Sequence, residues 1–93
     1  MSGNTRYSVS PHFKIKCWSN QCVASHTATG VTHRLDKLSS IILNTLRKHS
    51  NQSLSDIFLK IKELDISGVS EHIVDTYIRQ LILAGILEKS DAL

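Results

Sequence analysis

The stretch GVTHRLDKLSSIIL, residues 30–43, changes its periodicity halfway along. In the first half, Val31, His33 and Leu35 alternate with polar residues, a spacing that is typical of a β-strand. From Leu38 onward the apolar residues recur at intervals of three and four, which is typical of an amphipathic helix. The sequence therefore predicts a short, weakly apolar strand that runs directly into a helix.

Two further strands are expected upstream of this stretch. The segment HFKIKCW (12–18) alternates apolar and lysine residues, and CVASHT (22–27) is a weaker strand candidate after the turn cluster SNQ. A turn through Gly30 leads to the third strand, residues 31–36. Short successive strands joined by tight turns predict an antiparallel meander.

Three helices are expected downstream, each marked by its capping residues. Asp36 is suited to the N-cap of the first helix, Ser53 with Asp56 forms a capping-box pattern for the second, and Ser70 precedes the third. Gly85 suits a left-handed C-cap at the end of the third helix. The predicted fold class is therefore α+β, with the element order βββααα.

The length and composition place bounds on the fold. A chain of 93 residues has room for one core, and 41% apolar with 20% charged residues is ordinary for a soluble domain. The longest apolar run, LILAGIL, is too short to cross a bilayer, and the N-terminus lacks a signal-peptide pattern. We expect a cytoplasmic protein with a flexible N-terminus (1–10), one domain (11–88) and a C-terminal tail (89–93).

The positive charge lies in the first half of the chain. Residues 1–52 carry seven Lys or Arg and one acid, a net charge of +6, whereas residues 53–93 carry four basic and seven acidic residues, a net charge of −3. An acidic partner would therefore be drawn to the first half.

Four stretches carry a resemblance to a known family: FKIKCW (13–18), RLD running into KLSSIILNTL (34–46), SLSDIFLKI (53–61) and YIRQLILAGILE (77–88). With the βββααα order, they resemble the PqqD-like family, the RiPP recognition elements, over roughly residues 11–88. Asp36 stands where the family usually has Asn, and His33 stands where a β-branched residue is more usual.

The resemblance implies a small winged-helix-like domain with no chemistry and no cofactor of its own. Members hold the leader region of a ribosomally synthesised precursor peptide and present its core to a modifying enzyme, such as a radical SAM maturase, a cyclase or a leader peptidase. The leader is added as a strand beside the third strand, and its side chains enter a groove beside the third helix.

Edge chemistry selects the third strand independently of the resemblance. Strand addition needs an unpaired edge, and the first and third strands of a meander are both edges. The first strand carries Pro11, Lys14 and Lys16, residue types that protect edges from pairing. The third strand has neither Pro nor Lys, so it is the predicted peptide-binding edge. The alternative is a plain terminal strand of a small sheet.

The candidate peptide-binding residues lie on the third strand, at the start of the first helix and on the third helix: Val31, Thr32, His33, Arg34, Leu35, Lys37, Tyr77, Ile78, Arg79, Ile82 and Leu83. Arg34, Lys37 and Arg79 are candidates to meet acidic leader side chains, or are solvated surface charges. On the third helix, Ile78, Ile82 and Leu83 are candidates for the floor of a groove, or for a wide core face or a homodimer interface.

A winged-helix DNA-binding regulator is the alternative function. Its third helix would enter the major groove and would be rich in basic and amide residues. Residues 70–87 carry Arg79 against Glu71 and Asp75, a net charge of −1, so this reading is less favoured.

The two cysteines leave three possibilities open. Cys17 and Cys22, with His12, His26 and His33 nearby, have a composition that zinc accepts, but C-x4-C is wider than usual zinc spacings. A disulfide across the hairpin is disfavoured in a reducing cytoplasm, so structural thiols are the preferred interpretation. No catalytic triad, phosphate loop or paired carboxylates are present, and we predict that the chain is not an enzyme.

Overall fold

The computed structural model describes residues 5–18, 21–49, 51–64 and 68–91. Its elements, in chain order, are β1 (Thr5–Val9), β2 (Phe13–Trp18), β3 (Gln21–His26), β4 (Thr32–Arg34), α1 (Lys37–Lys48), α2 (Leu54–Glu63), α3 (Glu71–Leu83) and β5 (Leu87–Asp91). The predicted α+β, winged-helix-like arrangement of a meander followed by three helices is confirmed. Strand β4 is shorter than the predicted third strand.

Strands β2, β3 and β4 form the antiparallel meander, with β3 in the centre. Phe13 pairs with His26 and Ile15 with Ala24, and Ala24 also pairs with His33 on the other side. Because side chains alternate between the faces of a strand, these residues share one face. Ala24 is fully buried under α1, so this is the inner face of the sheet.

The helix starts are held by the caps that the sequence predicts. The Asp36 Oδ1 accepts a hydrogen bond from the Ser39 N–H at 2.8 Å. Ser53 and Asp56 form the reciprocal capping box, and the Ser70 Oγ accepts from the Ile73 N–H at 3.3 Å. Each cap satisfies backbone N–H groups that have no partner inside the helix.

The predicted C-cap of α3 is also confirmed. Gly85 has φ of 81°, its N–H donates to the Ile82 carbonyl, and the Ile86 N–H donates to the Leu81 carbonyl. A residue other than glycine would be strained in this left-handed conformation. The cap turns the chain from α3 into β5 and buries Ile86.

The core lies between the three helices and the inner face of the sheet. Its fully buried branched aliphatic side chains are Ile42, Leu43, Leu46, Ile57, Ile61, Val74, Ile78 and Ile86. Among the described residues, no helix is long and apolar enough to span a bilayer.

The N- and C-terminal segments form a second, two-stranded sheet. Residues 5–9, expected to be flexible, form β1, and residues 87–91 form β5, which pairs with it from Thr5 opposite Asp91 to Val9 opposite Leu87. The Tyr7 N–H also donates to the Gln52 carbonyl, and the Gln52 N–H donates back. The pairing partners lie far apart in the sequence, which is why the local pattern did not predict these strands. Residues 1–4 and 92–93 lie outside the described residues.

Cys17 and Cys22 are joined by a disulfide, which corrects the preference for two free thiols. The β2–β3 register places them directly opposite each other on the inner face, with Cα atoms 4.0 Å apart. The Thr27 N–H donates to the His12 carbonyl, and alternation from that pair makes Cys17–Cys22 a non-hydrogen-bonded pair, in which side chains approach most closely. The register thus brings the two sulfur atoms into bonding position.

A buried serine fastens this sheet to α1. The Ser40 Oγ accepts a hydrogen bond from the Cys22 N–H at 2.8 Å, and Ser40 is 2% exposed. The Cys22 carbonyl, which points to the same edge of the strand as its N–H, accepts from the Leu35 N–H. Strand β3, the start of α1 and the end of β4 are therefore connected at one point.

Replacing Ser40 with Ala should destabilise the protein by about 1–3 kcal/mol, because the buried Cys22 N–H loses its acceptor. Urea unfolding followed by circular dichroism measures the change. The matched control is Ser55→Ala on the exposed surface of α2, which should stay within about 0.5 kcal/mol of the parent. Equal stabilities of the two variants would contradict the role given to Ser40.

Candidate functional site

The hydrogen-bond pattern of the meander determines which backbone groups of β4 face away from β3. The His26 N–H donates to the Val31 carbonyl at 2.8 Å, and the Leu35 N–H donates to the Cys22 carbonyl at 3.2 Å. Hydrogen-bonded pairs alternate with non-hydrogen-bonded pairs in an antiparallel ladder. The backbone N–H and C=O groups of Val31, His33 and Leu35 therefore point toward β3.

The same alternation directs the N–H and C=O groups of Thr32 and Arg34 away from the sheet. Strand β4 is the last strand of the meander, and β1 and β5 form a separate sheet. Within the part of the chain that the structure describes, no strand covers this side of β4. We call the outward backbone groups of Thr32 and Arg34 the β4 edge.

The turn before β4 is built on His26. The His26 Nδ1 accepts hydrogen bonds from the Ala28 and Thr29 N–H groups, both at 3.2 Å, and the His26 carbonyl accepts from the Gly30 N–H. Gly30 itself has a positive φ of 74°. These bonds hold the reversal that places Val31 opposite His26 and sets the register of β4.

Residues on β4 differ in the access that their side chains have to solvent. Thr32 and Arg34 are exposed, and Val31 is 54% exposed although it lies on the inner side of the sheet. His33 is half-buried, and Lys37 is exposed at the first position of α1. These five predicted residues lie together along the edge and the helix start.

Two of the predicted residues belong to the core instead. Leu35 is 8% exposed and Ile78 is 0% exposed, and both pack in the same buried cluster. Ile78 and Leu35 are therefore excluded from the candidate surface, since the backbone of Leu35 also faces β3. Helix α3 buries Val74, Ile78 and Leu81, so Ile78, which was expected to line the groove, lies on the core face of the helix instead.

The remaining α3 candidates lie at the margin of the core or outside it. Tyr77 and Ile82 are half-buried, and Leu83 is 88% exposed. The Arg79 Nε donates to the Asp75 Oδ2 at 2.9 Å, one helical turn away. Arg79 is thus already paired with a carboxylate on its own helix.

Phe13 connects the end of α3 with the inner side of β4, a role that the sequence did not indicate. Its ring centroid lies 6.0 Å from that of His33 and 5.0 Å from that of His26. A Cβ placed on Gly85 would lie 3.8 Å from the Phe13 Cε1. One aromatic ring therefore separates the end of α3 from β4. Its alternating position predicted burial and nothing more.

Other features lie away from the β4 edge. A cavity of about 340 Å³ between α1 and α2 is lined by residues that include Ser40, Asn44, Lys48, Lys60 and Glu63, none of them a predicted site residue. The described residues contain no cluster of three potential metal-ligating side chains, and both cysteines are used by the disulfide.

A solved structure of TbiB1 in complex with the TbiA(beta) leader peptide is similar to this chain, with a TM-score of 0.70. The similarity covers 87% of this chain and 94% of that one, at 22% sequence identity. It shows the fold. The winged-helix-like architecture expected from the family resemblance is therefore confirmed. No family model and no curated protein matches the sequence.

Replacing His26 tests the turn that positions β4. His26→Ala removes the acceptor for two backbone N–H groups, whereas the Asn side chain of His26→Asn offers an oxygen close to the Nδ1 position. Both variants lose the ring, so we expect the Ala variant to be less stable than the Asn variant by about 1–2 kcal/mol. Chemical denaturation compares them, and equal stability would contradict the role of Nδ1.

Proposed function

We propose that this chain binds the leader region of a ribosomally synthesised precursor peptide by strand addition at the β4 edge. The unpaired backbone of Thr32 and Arg34 is the observation that carries the proposal, since strand addition requires a free edge. The similar fold of TbiB1, which has been solved with a leader peptide, supports it.

The backbone of the β4 edge offers a limited amount of binding energy. Thr32 and Arg34 together present two N–H donors and two carbonyl acceptors, and each hydrogen bond contributes about 0.5–1.5 kcal/mol net. Association itself costs at least about 4 kcal/mol. The backbone can therefore set the direction and register of a peptide, but side-chain contacts must provide most of the affinity.

Apolar side chains of the peptide are expected to bind on the inner side of the edge. An added strand beside β4 places every second side chain on the face that carries Val31 and His33. The end of α3, with Ile82 and Leu83, lies near this face because Phe13 bridges Gly85 and His33. Burying one leucine-sized side chain there would contribute about 1.5–3 kcal/mol.

The alternate side chains of the added strand lie on the opposite face, beside Arg34. Arg34 and Lys37 are exposed, and no ion pair involving either is present among the described residues. Carboxylates on the peptide would pair with them and favour encounter and register. Arg79 contributes less, because Asp75 already holds its guanidinium.

The wider role proposed for the chain is presentation of the bound peptide to a modifying enzyme. Candidates are a radical SAM maturase, a cyclase or a leader peptidase, acting in the cytoplasm. On this proposal the chain itself is not an enzyme and uses no cofactor. Calorimetry with a synthetic leader from the precursor gene nearest to this chain's own gene tests the proposal, and absence of binding would overturn it.

Thr32→Pro should reduce leader affinity by about tenfold or more, since it removes an outward donor and places a ring on the edge. Proline is tolerated on an edge strand where its nitrogen faces away from the neighbouring strand, so the fold should persist. Thr32→Val keeps the N–H and should bind normally. Calorimetry after a circular-dichroism check compares the two variants.

The same contact can be tested from the peptide, with the protein unchanged. N-methylation of leader residues one at a time should weaken binding at alternate positions of the bound segment, because only alternate N–H groups face β4. Uniform tolerance of N-methylation, together with normal binding by Thr32→Pro, would show that the peptide binds elsewhere.

Arg34→Glu should weaken leader binding about 2- to 10-fold and make it less sensitive to salt, because an attraction becomes a repulsion at an exposed site. Arg79→Glu should have a smaller effect. Lys62→Glu, on the exposed face of α2, is the charge-matched control and should leave affinity unchanged. Calorimetry at two salt concentrations gives the comparison; equal losses in all three variants would indicate only a general charge effect.

A further inference from the structure

The outer face of the meander carries a basic surface of which the peptide-binding proposal uses only Arg34. Along β2, Lys14, Lys16 and Trp18 point to this face, since Phe13, Ile15 and Cys17 point inward. The two lysines are about 7 Å apart at their Cα atoms, as i and i+2 positions of a strand are. We call Lys14, Lys16, Trp18 and Arg34 the outer basic face.

The strand register extends this surface across the sheet. Lys16 pairs with Val23, and Val23 pairs with Arg34, so the two cations lie in one row about 10 Å apart. The next row contains Lys14, Ser25 and Thr32. The hydroxyl oxygens of Ser25 and Thr32 are 3.3 Å apart. None of the described residues that point outward from the three strands is acidic.

The cations of the outer basic face are not neutralised within the protein. No ion pair joins Lys14, Lys16 or Arg34 to an acid among the described residues. The nearest acid along the chain, Asp36, directs its Oδ1 to the Ser39 N–H at the start of α1. The face therefore presents three basic side chains to solvent.

An aromatic ring completes the surface. Trp18 is 55% exposed and is the single tryptophan of the chain. It follows Cys17 directly, so the Cys17–Cys22 disulfide closes the hairpin one position before the ring. Exposing an indole is unfavourable unless a partner covers it, and the crosslinked strand end holds its backbone in place before binding.

This arrangement favours nucleic acid over an acidic protein. Stable protein interfaces have an extended apolar centre from which charged residues are depleted, whereas on this face a single valine, Val23, lies between the cations of β2 and β4. Single-stranded nucleic acid, in contrast, binds where basic groups meet the phosphates and an aromatic ring stacks on a base. The negative charge that argues against duplex DNA lies on α3, away from this face.

We infer that the outer basic face of β2, β3 and β4 is a second binding site, which takes single-stranded nucleic acid through phosphate contacts with Lys14, Lys16 and Arg34 and base stacking on Trp18. Of its four side chains, only that of Arg34 is also used in the proposed peptide-binding site. It does not depend on the proposed peptide function.

Trp18 supplies a direct readout. Titration at low salt with an oligothymidine or oligouridine of about 15 nucleotides, within the range that such platforms cover, should quench the Trp18 fluorescence. Three phosphate contacts predict that log K falls against log salt with a slope of about −2, and Lys16→Ala or Lys14→Ala should each reduce its magnitude by about 0.7. The DNA and RNA oligomers differ only in the sugar, so comparing them identifies the preferred strand.

Two further variants separate stacking from charge. Trp18→Ala should lower affinity about 5- to 150-fold in an anisotropy assay with a labelled oligomer, and Trp18→Phe should restore part of it. Lys62→Ala, on α2, removes one charge elsewhere and should leave both affinity and salt slope unchanged.

Three results would overturn the inference. One is the absence of quenching by either oligomer at low salt. Another is equal binding of Trp18→Ala and the parent, which would reduce the effect to non-specific charge attraction. The third is stronger quenching by poly-L-glutamate than by the oligomers, which would assign the face to an acidic protein. Leader binding by Lys14→Ala and Lys16→Ala, measured separately, shows whether the β4 edge remains intact.

Discussion

The hydrogen bond from the Cys22 N–H to the buried Ser40 Oγ is the contact on which the arrangement of sheet and helices depends. It fixes β3 against α1 at the residue whose carbonyl also receives the Leu35 N–H. Because Cys22 and Leu35 form a hydrogen-bonded pair of the ladder, alternation along β4 directs the backbone groups of Arg34 and Thr32 away from the sheet. A slip of one residue would expose Leu35 and bury Arg34, so burial of Leu35 protects the register. The open edge is thus a consequence of core packing.

Local signals were read correctly from the sequence, and non-local ones were not. The caps at Asp36, Ser53, Ser70 and Gly85 involve residues within a few positions of each other, so residue type and spacing were sufficient. Strands β1 and β5 pair residues more than 70 positions apart, and a polar segment such as TRYSV gives no sign of its partner. Pairing over that distance is decided by tertiary structure.

In the candidate site, too, local features could be predicted from the sequence and tertiary ones could not. Alternation along residues 31–35 predicted which β4 side chains point inward, and the end position of β4 in the meander followed from element order. Which side of α3 faces the core was harder to predict, because apolar residues cover so much of the helix surface that several inner faces fit the sequence. Ile78 was therefore placed on the groove although it lies in the core. The disulfide was judged from the expected compartment, whereas the hairpin register decides whether two cysteines meet.

Strand β4 is short, and this limits how it can act. With two outward residues it cannot hold a peptide by backbone pairing alone, and a longer free edge would pair with other chains without selectivity. On the proposed function, binding at this short strand would depend on the peptide's own side chains, because only they can add the missing binding energy. A peptide without apolar residues at alternate positions would form the same hydrogen bonds and would still dissociate, because the backbone contribution is small. On the proposed function, selectivity would therefore come from the apolar contacts beside α3 rather than from the backbone of the strand.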